Sequence, residues 1–521
     1  MRPPLRSRSF LALALLALAA FGLSHLRAGE DDLPLRVWTI RLPGNELGCD
    51  LADMDGDGDL DLVVAHMTDT TSEARTLSVF LQGTKAQRFA AKPTRTFVVP
   101  ADACAYVAGE FDPAPGAEIA LLCPTRVLLL KSKGPPVEIL KEPGFFDYPE
   151  RGGLPVWDLA RDLDGDGLLE LIVPTKRGYA ILGRGNKDKV LTKRSEVRLE
   201  IDQRFGPTFE TKLLNRLLTS TLRLRRVVHT DLNADGRQDL IAVNAKGLAR
   251  YLQRPDGTFP ERPDRIDPFK ITRGKEEEGG KGGGFTSVRL NLEDVNGDGR
   301  ADLLATRTMG EIGLFSSLRT QQLLFLAQKD LPQTWDERKP DAVLNLKGIS
   351  ADPLLIDWDG DGRKDLVLST YRMDMLTNVK RVLADSLTIT YLIFLQRKGK
   401  AGVFEDEPDV SFDVEVPLES LQQRGGTQAV IFTADLDGDG VRDQIARRPD
   451  GSLVVARGRI ERDGDDVELS FSENPVKITV PRTEPPRVVD LDGDGKSELI
   501  LEPFAGDDAA ARTLRVVGVA Q

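Results

Sequence analysis

The sequence predicts an all-β fold, a β-propeller of eight four-stranded blades, and three observations carry that prediction. A nine-residue acidic loop recurs along the 521-residue chain. Short apolar, strand-like runs surround each copy, four to a period. The last period is one strand short, while an unassigned strand-like segment stands before the first. Length alone suggests several domains, but a repeat array uses the whole chain as one body.

The first loop holds Asp53, Asp55, Asp57, Asp59 and Asp61, and Leu62-Val63-Val64 follows at once. The next full copies place acids or amides at the first, third, fifth and ninth positions. They are Asp162, Asp164, Asp166, Glu170; Asp231, Asn233, Asp235, Asp239; and Asp294, Asn296, Asp298, Asp302. The remaining three are Asp357, Asp359, Asp361, Asp365; Asp435, Asp437, Asp439, Asp443; and Asp490, Asp492, Asp494, Glu498. A decayed copy with Glu110, Asp112, Gly116 and Glu118 lies between the first two. From Glu110 and the seven first-position aspartates the spacings are 57, 52, 69, 63, 63, 78 and 55 residues.

The second unit shows the strand pattern: Cys104 to Gly109, Glu118 to Cys123, Arg126 to Lys131 and Pro136 to Leu140. The final unit has only Thr513 to Val519 after Leu499-Ile500-Leu501, and Leu35 to Leu42 is the orphan at the other end. Placing that orphan on the outer edge of the last blade closes the ring and leaves no long unpaired edge. A seven-bladed ring with one irregular unit is the alternative.

The spacing specifies chemistry. Ca2+ is a hard cation that takes 6–8 oxygen ligands at roughly 2.3–2.6 Å. Oxygens at positions 1, 3 and 5 of a tight loop converge on one point, and a carboxylate at position 9 closes the shell. Position 7 offers its backbone carbonyl, so its side chain varies freely: Asp59, Leu168, Arg237, Arg300, Arg363, Val441 and Lys496. Glycine at position 6 in all seven full copies, from Gly58 to Gly495, permits the positive φ of the reversal. An EF-hand loop closes later and lies between helices. Here a β-rich run follows directly, so the loop sits inside a β-hairpin. About seven structural Ca2+ ions are expected, with the decayed copy, which has Ala114 at position 5, metal-free or weak.

Charge agrees. The formal net charge is -12, and removing residues 1–28 with their four arginines leaves a chain near -16. Seven Ca2+ bring it near -2. Such acidity argues against a nucleic-acid partner. Arg2, Arg6 and Arg8 followed by the apolar run Phe10 to Leu23 read as a signal peptide ending near Ala28. The chain after it has no membrane span, and the expected location is secreted, periplasmic or at the cell surface. The single propeller domain then covers 29–521, with insertions near 202–226, 265–285, 306–320 and 371–388. Leu213, Leu214, Leu217, Leu218 and Leu222 have helical spacing, as do Met375, Val379 and Val382.

The acidic loop followed by an acid-leucine-apolar strand resembles the FG-GAP/VCBS repeats of bacterial secreted proteins and integrin α-subunit propellers. The resemblance covers nearly all of 29–521. It implies a calcium ion in the hairpin between strands 1 and 2 of each blade.

Function is less marked. The 2–3 and 4–1 connections lie opposite the calcium loops and carry most of the insertions, so a protein or glycan ligand is expected there. The reading is a non-catalytic binding, adhesion or scaffold protein. The alternatives are a carbohydrate-active, polysaccharide lyase-like enzyme and a purely structural component of a surface assembly. Outside the leader the chain has two histidines, His66 and His229, and no nucleophile elbow or phosphate loop. Cys104 and Cys123 fall nearly opposite each other across the decayed hairpin, which allows either a disulfide or buried thiols.

Overall fold

The computed structural model describes residues 33–519 except 69–73, 84–87, 147–152, 186–190, 210–215, 226, 245–246, 270–284, 311–317, 328–334, 336–337, 372–385, 398–403, 418–429, 432, 449–451, 464–465, 482 and 505–509. The signal segment and the segments 275–284, 311–317 and 372–385, including the second helical reading, lie outside the described residues.

Eight four-stranded antiparallel blades form the ring. Blade 1 is Asn45–Ala52, Asp61–Met67, Arg75–Phe80 and Arg95–Val99. Blade 2 is Ala105–Gly109, Glu118–Leu122, Val127–Leu130 and Val137–Leu140. Blade 3 is Ala160–Arg161, Glu170–Thr175, Gly178–Gly183 and Thr192–Arg198, and blade 4 is Val227–Thr230, Asp239–Asn244, Gly247–Tyr251 and Arg265–Asp267. Blade 5 comprises Phe285–Glu293, Asp302–Gly310, Arg319–Phe325 and Ala342–Lys347. In blade 6 the first strand is broken into Ile349–Ser350 and Leu354–Ile356, before Asp365–Tyr371, Ser386–Phe394 and Val410–Pro417. Blade 7 is Val430–Ile431, Gln444–Arg447, Leu453–Ala456 and Val476–Ile478. Blade 8 is Arg487–Val489, Glu498–Leu501 and Thr513–Val519, completed by the N-terminal strand Leu35–Arg41.

The second strands explain the continuous apolar runs. Leu62, Val63, Val64 and Ala65 are all fully buried. Val63 and Ala65 pack toward blade 2 with Tyr106, Ile119 and Leu121. Leu62 and Val64 pack toward blade 8 with Leu491, Ile500 and Val516. A strand covered on both faces needs no polar alternation. The fourth strands are outer edges and do alternate: Thr192–Arg198 reads Thr-Lys-Arg-Ser-Glu-Val-Arg, with Ser195 and Val197 buried. Charged side chains on such an edge discourage strand addition.

Closure is as expected. Leu35 pairs with Val519 and the register runs without a break to Arg41 opposite Thr513. The ring therefore has eight blades, and the seven-bladed alternative falls.

Two expectations fail. Of the leucine-rich segment 210–224, residues 210–215 lie outside the described residues, and the rest is strand, not helix: Ile201–Phe209 and Arg216–Leu224 pair over nine residues each between blades 3 and 4. Its run Leu217-Leu218-Thr219-Ser220-Thr221-Leu222 carries β-branched residues, and a neighbouring extended segment supplies the partner strand that helical spacing ignores. The second failure is an insertion that was not foreseen. Gly458–Asp463 and Asp466–Phe471 form a hairpin between strands 3 and 4 of blade 7. It lies on the loop-bearing side and packs against blade 6, where Phe471 meets Phe412 edge-on at 5.6 Å.

Candidate metal centres

All seven acidic loops connect strands 1 and 2 of their blades, and they share one architecture. The first aspartate organises the turn. Asp53 accepts the N–H groups of Gly56 (2.6 Å) and Asp57 (3.1 Å) on Oδ1 and of Gly58 (2.8 Å) on Oδ2. Asp294 and Asp435 repeat this set with Gly297, Asp298, Gly299 and with Gly438, Asp439, Gly440. The fifth residue caps the other half. In every full loop its Oδ1 accepts the position-7 N–H at 2.9–3.0 Å, from Asp59, Leu168, Arg237, Arg300, Arg363, Val441 and Lys496.

Positive φ is required at two places, not only at position 6. Gly56 and Gly58 have φ of 82° and 98°, and the pattern repeats through Gly493 and Gly495. At position 4 of the blade 4 loop the residue is Ala234, at φ 56°, which costs about 1–2 kcal/mol relative to glycine. Sequence reading missed this position, although glycine occupies it in the other six copies.

The ninth residue is the deepest. Asp239, Asp302, Asp365 and Asp443 are completely buried. One oxygen of each position-9 acid accepts the position-2 N–H, as in Met54 to Asp61 at 2.8 Å and Leu163 to Glu170 at 2.9 Å. In the aspartate loops the other oxygen accepts an N–H just past strand 3: Gln82 to Asp61 (2.6 Å), Gln253 to Asp239 (2.8 Å) and Gln396 to Asp365 (2.9 Å). Burial pushes these carboxyls up, to about 6 for Asp61, Asp239 and Asp302 and about 7 for Asp365 and Asp443, while the backbone donors pull the other way. Glu170 rises to about 8 and Glu498 to about 7, again chiefly through burial.

The two glutamates are longer by a methylene, and the neighbouring strand makes room. Gly183 and Gly518 face them. A Cβ on either glycine would stand 2.9 Å from the Cγ of Glu170 or Glu498. Leucine occupies the equivalent site beside aspartate, at Leu81, Leu252, Leu326 and Leu395. Acid length and facing residue are thus matched in six of the eight blades, the exceptions being blades 2 and 7.

The carboxylates converge. Ligand atoms of Asp53, Asp55 and Asp57 lie within 4.8 Å of one another, as do those of Asp162, Asp164 and Glu170. The same holds for Asp357, Asp359 and Asp361, for Asp435, Asp437 and Asp443, and for Asp490, Asp492 and Glu498. In the loops of blades 4 and 5 the amide oxygens of Asn233 and Asn296 stand at position 3, each accepting the position-5 N–H. Asp490 Oδ1 and Asp492 Oδ1 are buried and have no hydrogen-bond partner. Clustered oxygens of one sign, two of them without a donor, fit a hard cation such as Ca2+.

Blade 2 differs. Its Glu118 still accepts the Phe111 N–H (3.1 Å), but the ammonium of Lys131 lies 2.5 Å from Asp112 Oδ2. Lys131 occupies the strand position held by leucine in four blades, by glycine in two and by Arg457 in blade 7.

The loops are also joined to one another around the whole ring. A position-8 N–H donates to a carbonyl at position 1 or 2 of the preceding loop in six junctions: Leu60 to Leu491 (2.9 Å), Ala117 to Asp53 (2.8 Å), Leu169 to Glu110 (2.8 Å), Gln238 to Leu163 (2.9 Å), Ala301 to Asp231 (3.3 Å) and Ser497 to Asp435 (2.7 Å). Side chains bridge the other two. Gln396 Nε2 reaches the Val295 carbonyl at 2.7 Å, and Arg442 Nε reaches that of Asp357 at 3.0 Å.

The histidines and cysteines stand apart from these loops. His66 is buried, its Nε2 2.8 Å from Ser78 Oγ, and burial lowers its pKa. Arg161 Nε lies 3.2 Å from His229 Nε2. Cys49, Cys104 and Cys123 are thiols. Cys104 and Cys123 do flank the hairpin, the Cys104 N–H bonding to the Leu122 carbonyl. Their sulfurs turn to different partners: Cys104 Sγ to the Asp102 carbonyl (3.5 Å), and the Cys123 thiol to Arg126.

Residues 231–305 match the FG-GAP-like repeat family. That match spans the loops of blades 4 and 5. No curated protein matches the sequence. Among solved structures, an Agrocybe aegerita lectin described as recognising non-reducing terminal N-acetylglucosamine is 15% identical, aligning 73% of this chain with 87% of that one at a TM-score of 0.36. A Photorhabdus luminescens Tc holotoxin pore is 15% identical over 95% of this chain and 20% of that chain, at a TM-score of 0.29. The WD40 domain of SCAP from fission yeast is 11% identical over 95% and 97% of the two chains, at 0.33. Among the described residues no helix is long and apolar enough to cross a membrane. The chain is an eight-bladed β-propeller whose residues 231–305 match the FG-GAP-like repeat.

Proposed function

We propose that this propeller is a calcium-loaded, non-catalytic scaffold that works outside the cell and binds a protein or glycan on the face opposite the loops. The observation that carries it is the convergence of carboxylates in five loops to within 4.8 Å, repeated around one side of a closed ring. Each ion would be held by the acids at positions 1, 3, 5 and 9 and the position-7 carbonyl. It would add positive charge among the clustered acids. Because neighbouring loops are hydrogen-bonded to one another, metal at one loop also steadies the next.

The side chains present serve a structural role. Position-9 acids tie the start of the loop to the end of strand 3, and position-1 acids hold the turn. Extracellular calcium modules operate at ~10⁻⁴–10⁻³ M, a concentration met outside cells, and the leader-like segment before residue 29 agrees with export. The loop-bearing side is built for cohesion and is partly covered by the blade 7 hairpin. The opposite side carries the paired strands Ile201–Phe209 and Arg216–Leu224, an extension that the ring does not need for closure.

The test is thermal unfolding of the protein with calcium and with a chelator, alongside elemental analysis. A calcium-reversible fall in Tm with several bound ions is expected, because metal that binds only the folded state stabilises it by mass action. Identical melting curves and no bound calcium would overturn the reading.

A further inference from the structure

The third position of the loop separates the eight blades into distinct classes, and the residues that do so come mostly from outside the loop. Six blades have aspartate there: Asp55, Asp112, Asp164, Asp359, Asp437 and Asp492. Four of these six are ion-paired to a basic side chain. Lys131 holds Asp112 in the decayed loop at 2.5 Å. Arg457 occupies the same strand position in blade 7, with Nε 2.6 Å from Asp437 Oδ2 and Nη2 2.9 Å from Asp439 Oδ2. Arg88, from the 3–4 connection of blade 1, crosses the seam to blade 8. Its Nη1 lies 2.8 Å from Asp492 Oδ2 and its Nη2 2.5 Å from Glu498 Oε1, with both acids and the arginine nearly buried. Arg462, from the inserted hairpin of blade 7, reaches across to Asp359 of blade 6. Among the described residues no basic side chain forms an ion pair with Asp55 or Asp164; Arg194 acts on Asp164 only from a distance. Blades 4 and 5 have asparagine instead and so lose the same unit of charge.

We infer that these side chains set calcium affinity loop by loop. This rests on the calcium reading above. The loops 53–61 and 162–170 are open, high-affinity sites. The loops 357–365, 435–443 and 490–498 carry an internal cation and bind calcium at least about tenfold more weakly. A guanidinium on one oxygen of the position-3 carboxylate stands close to a dication on the other, and the repulsion is weakly screened where both are partly buried. Lys131 is the extreme case, in a loop that has also lost its fifth-position acid. Arg457 at the equivalent position shows that an intact acidic motif does not guarantee an equivalent site. At blade 8 the arrangement ties the seam by an ion pair between the first and last blades, so closure there does not depend on metal alone.

The experiment is calcium titration of the metal-depleted protein by calorimetry, with bound ions counted by native mass spectrometry. The expected result is two tight ions and a separate, weaker set. Arg88→Gln and Arg457→Gln should each raise the tight class to three, and Asp55→Asn should lower it to one. Should Arg88→Gln fail to fold, the more exposed Arg462→Gln makes the same test at loop 357–365. A single affinity class, or arginine variants that leave the tight class at two, would overturn the inference while leaving calcium binding intact. Absence of any bound calcium would overturn both.

Discussion

The backbone N–H of Leu60 donates to the carbonyl of Leu491 at 2.9 Å, joining the first acidic loop to the last where the two ends of the chain meet. The seam is therefore held by the loops of blades 8 and 1, by the ion pairs of Arg88 with Asp492 and Glu498, and by the strand Leu35–Arg41 on the outer edge of blade 8. Trp38, Ile40 and Leu42 from the N-terminal segment pack into the same cluster as Leu62, Phe80 and Leu514.

Deleting residues 1–42 should accordingly open the ring. The strand Thr513–Val519 would become an unpaired edge with Leu514 and Val516 uncovered, a template for association. Size-exclusion chromatography with light scattering should show species larger than the parent. An unchanged mass with the parental Tm would contradict the role assigned to closure.

Asp53 and Asp55 should behave differently when truncated to alanine. Asp53 accepts three backbone N–H groups, so its loss should cost about 1–2 kcal/mol even in chelator. Asp55 is exposed, and in chelator its replacement should stay within about 0.5 kcal/mol. With calcium both variants should melt below the parent. Urea unfolding under the two conditions separates the cases.

Gly247 begins strand 3 of blade 4 with φ 142°, and a Cβ there would lie 1.9 Å from the Asp267 carbonyl oxygen. No side-chain rotation relieves a clash with backbone. Gly247→Ala should cost about 3 kcal/mol, read from chemical denaturation. A loss under about 1 kcal/mol would show that the hairpin relaxes easily.

Glu46 should make stability depend on pH. Burial first, then the charges of Glu502 and Glu484, raise its pKa to about 8, against the pull of Arg487. Cys49 and Asp50 stand on the same strand, and His66 is opposite in register. The unfolded chain releases this proton near the ordinary glutamate value of 4.5, whereas the folded one keeps it to about 8. The native state thus binds more protons across that window. Its stability from this group is complete below the lower value and falls as pH rises. Glu46→Gln should remove up to about one proton of that slope, ~1.4 kcal/mol per pH unit. Parallel curves for variant and parent from pH 5 to 8, in constant calcium, would rule this out.

Blade number and the acid positions were legible in the sequence because each depends on short-range geometry, and closure because the strand missing from the last unit stands unassigned at the other end of the chain. The loop keeps its acids within nine residues, the glycine at position 6 marks the reversal, and the doubly buried second strand shows as an unbroken apolar run. Where several structures satisfy one local pattern, the reading failed. The leucines near 213–222 fit a helical face, yet the neighbouring segment Ile201–Phe209 offers a full strand ladder and the hairpin forms. The blade 7 insertion was overlooked because Gly458 to Phe471 resembles ordinary strand and turn.

By itself, then, the sequence determined the repeat, the blade count, the strand that closes the ring and the loops that converge carboxylates, since the chain carries each of these within one repeat or at its ends. Only the tertiary structure decided which of the loops with aspartate at the third position carry a basic partner. Arg88 meets Asp492 and Arg462 meets Asp359 across blade boundaries. Such pairings arise when blades pack side by side, because electrostatic neutralisation depends on distance in space and leaves no spacing in the chain to read.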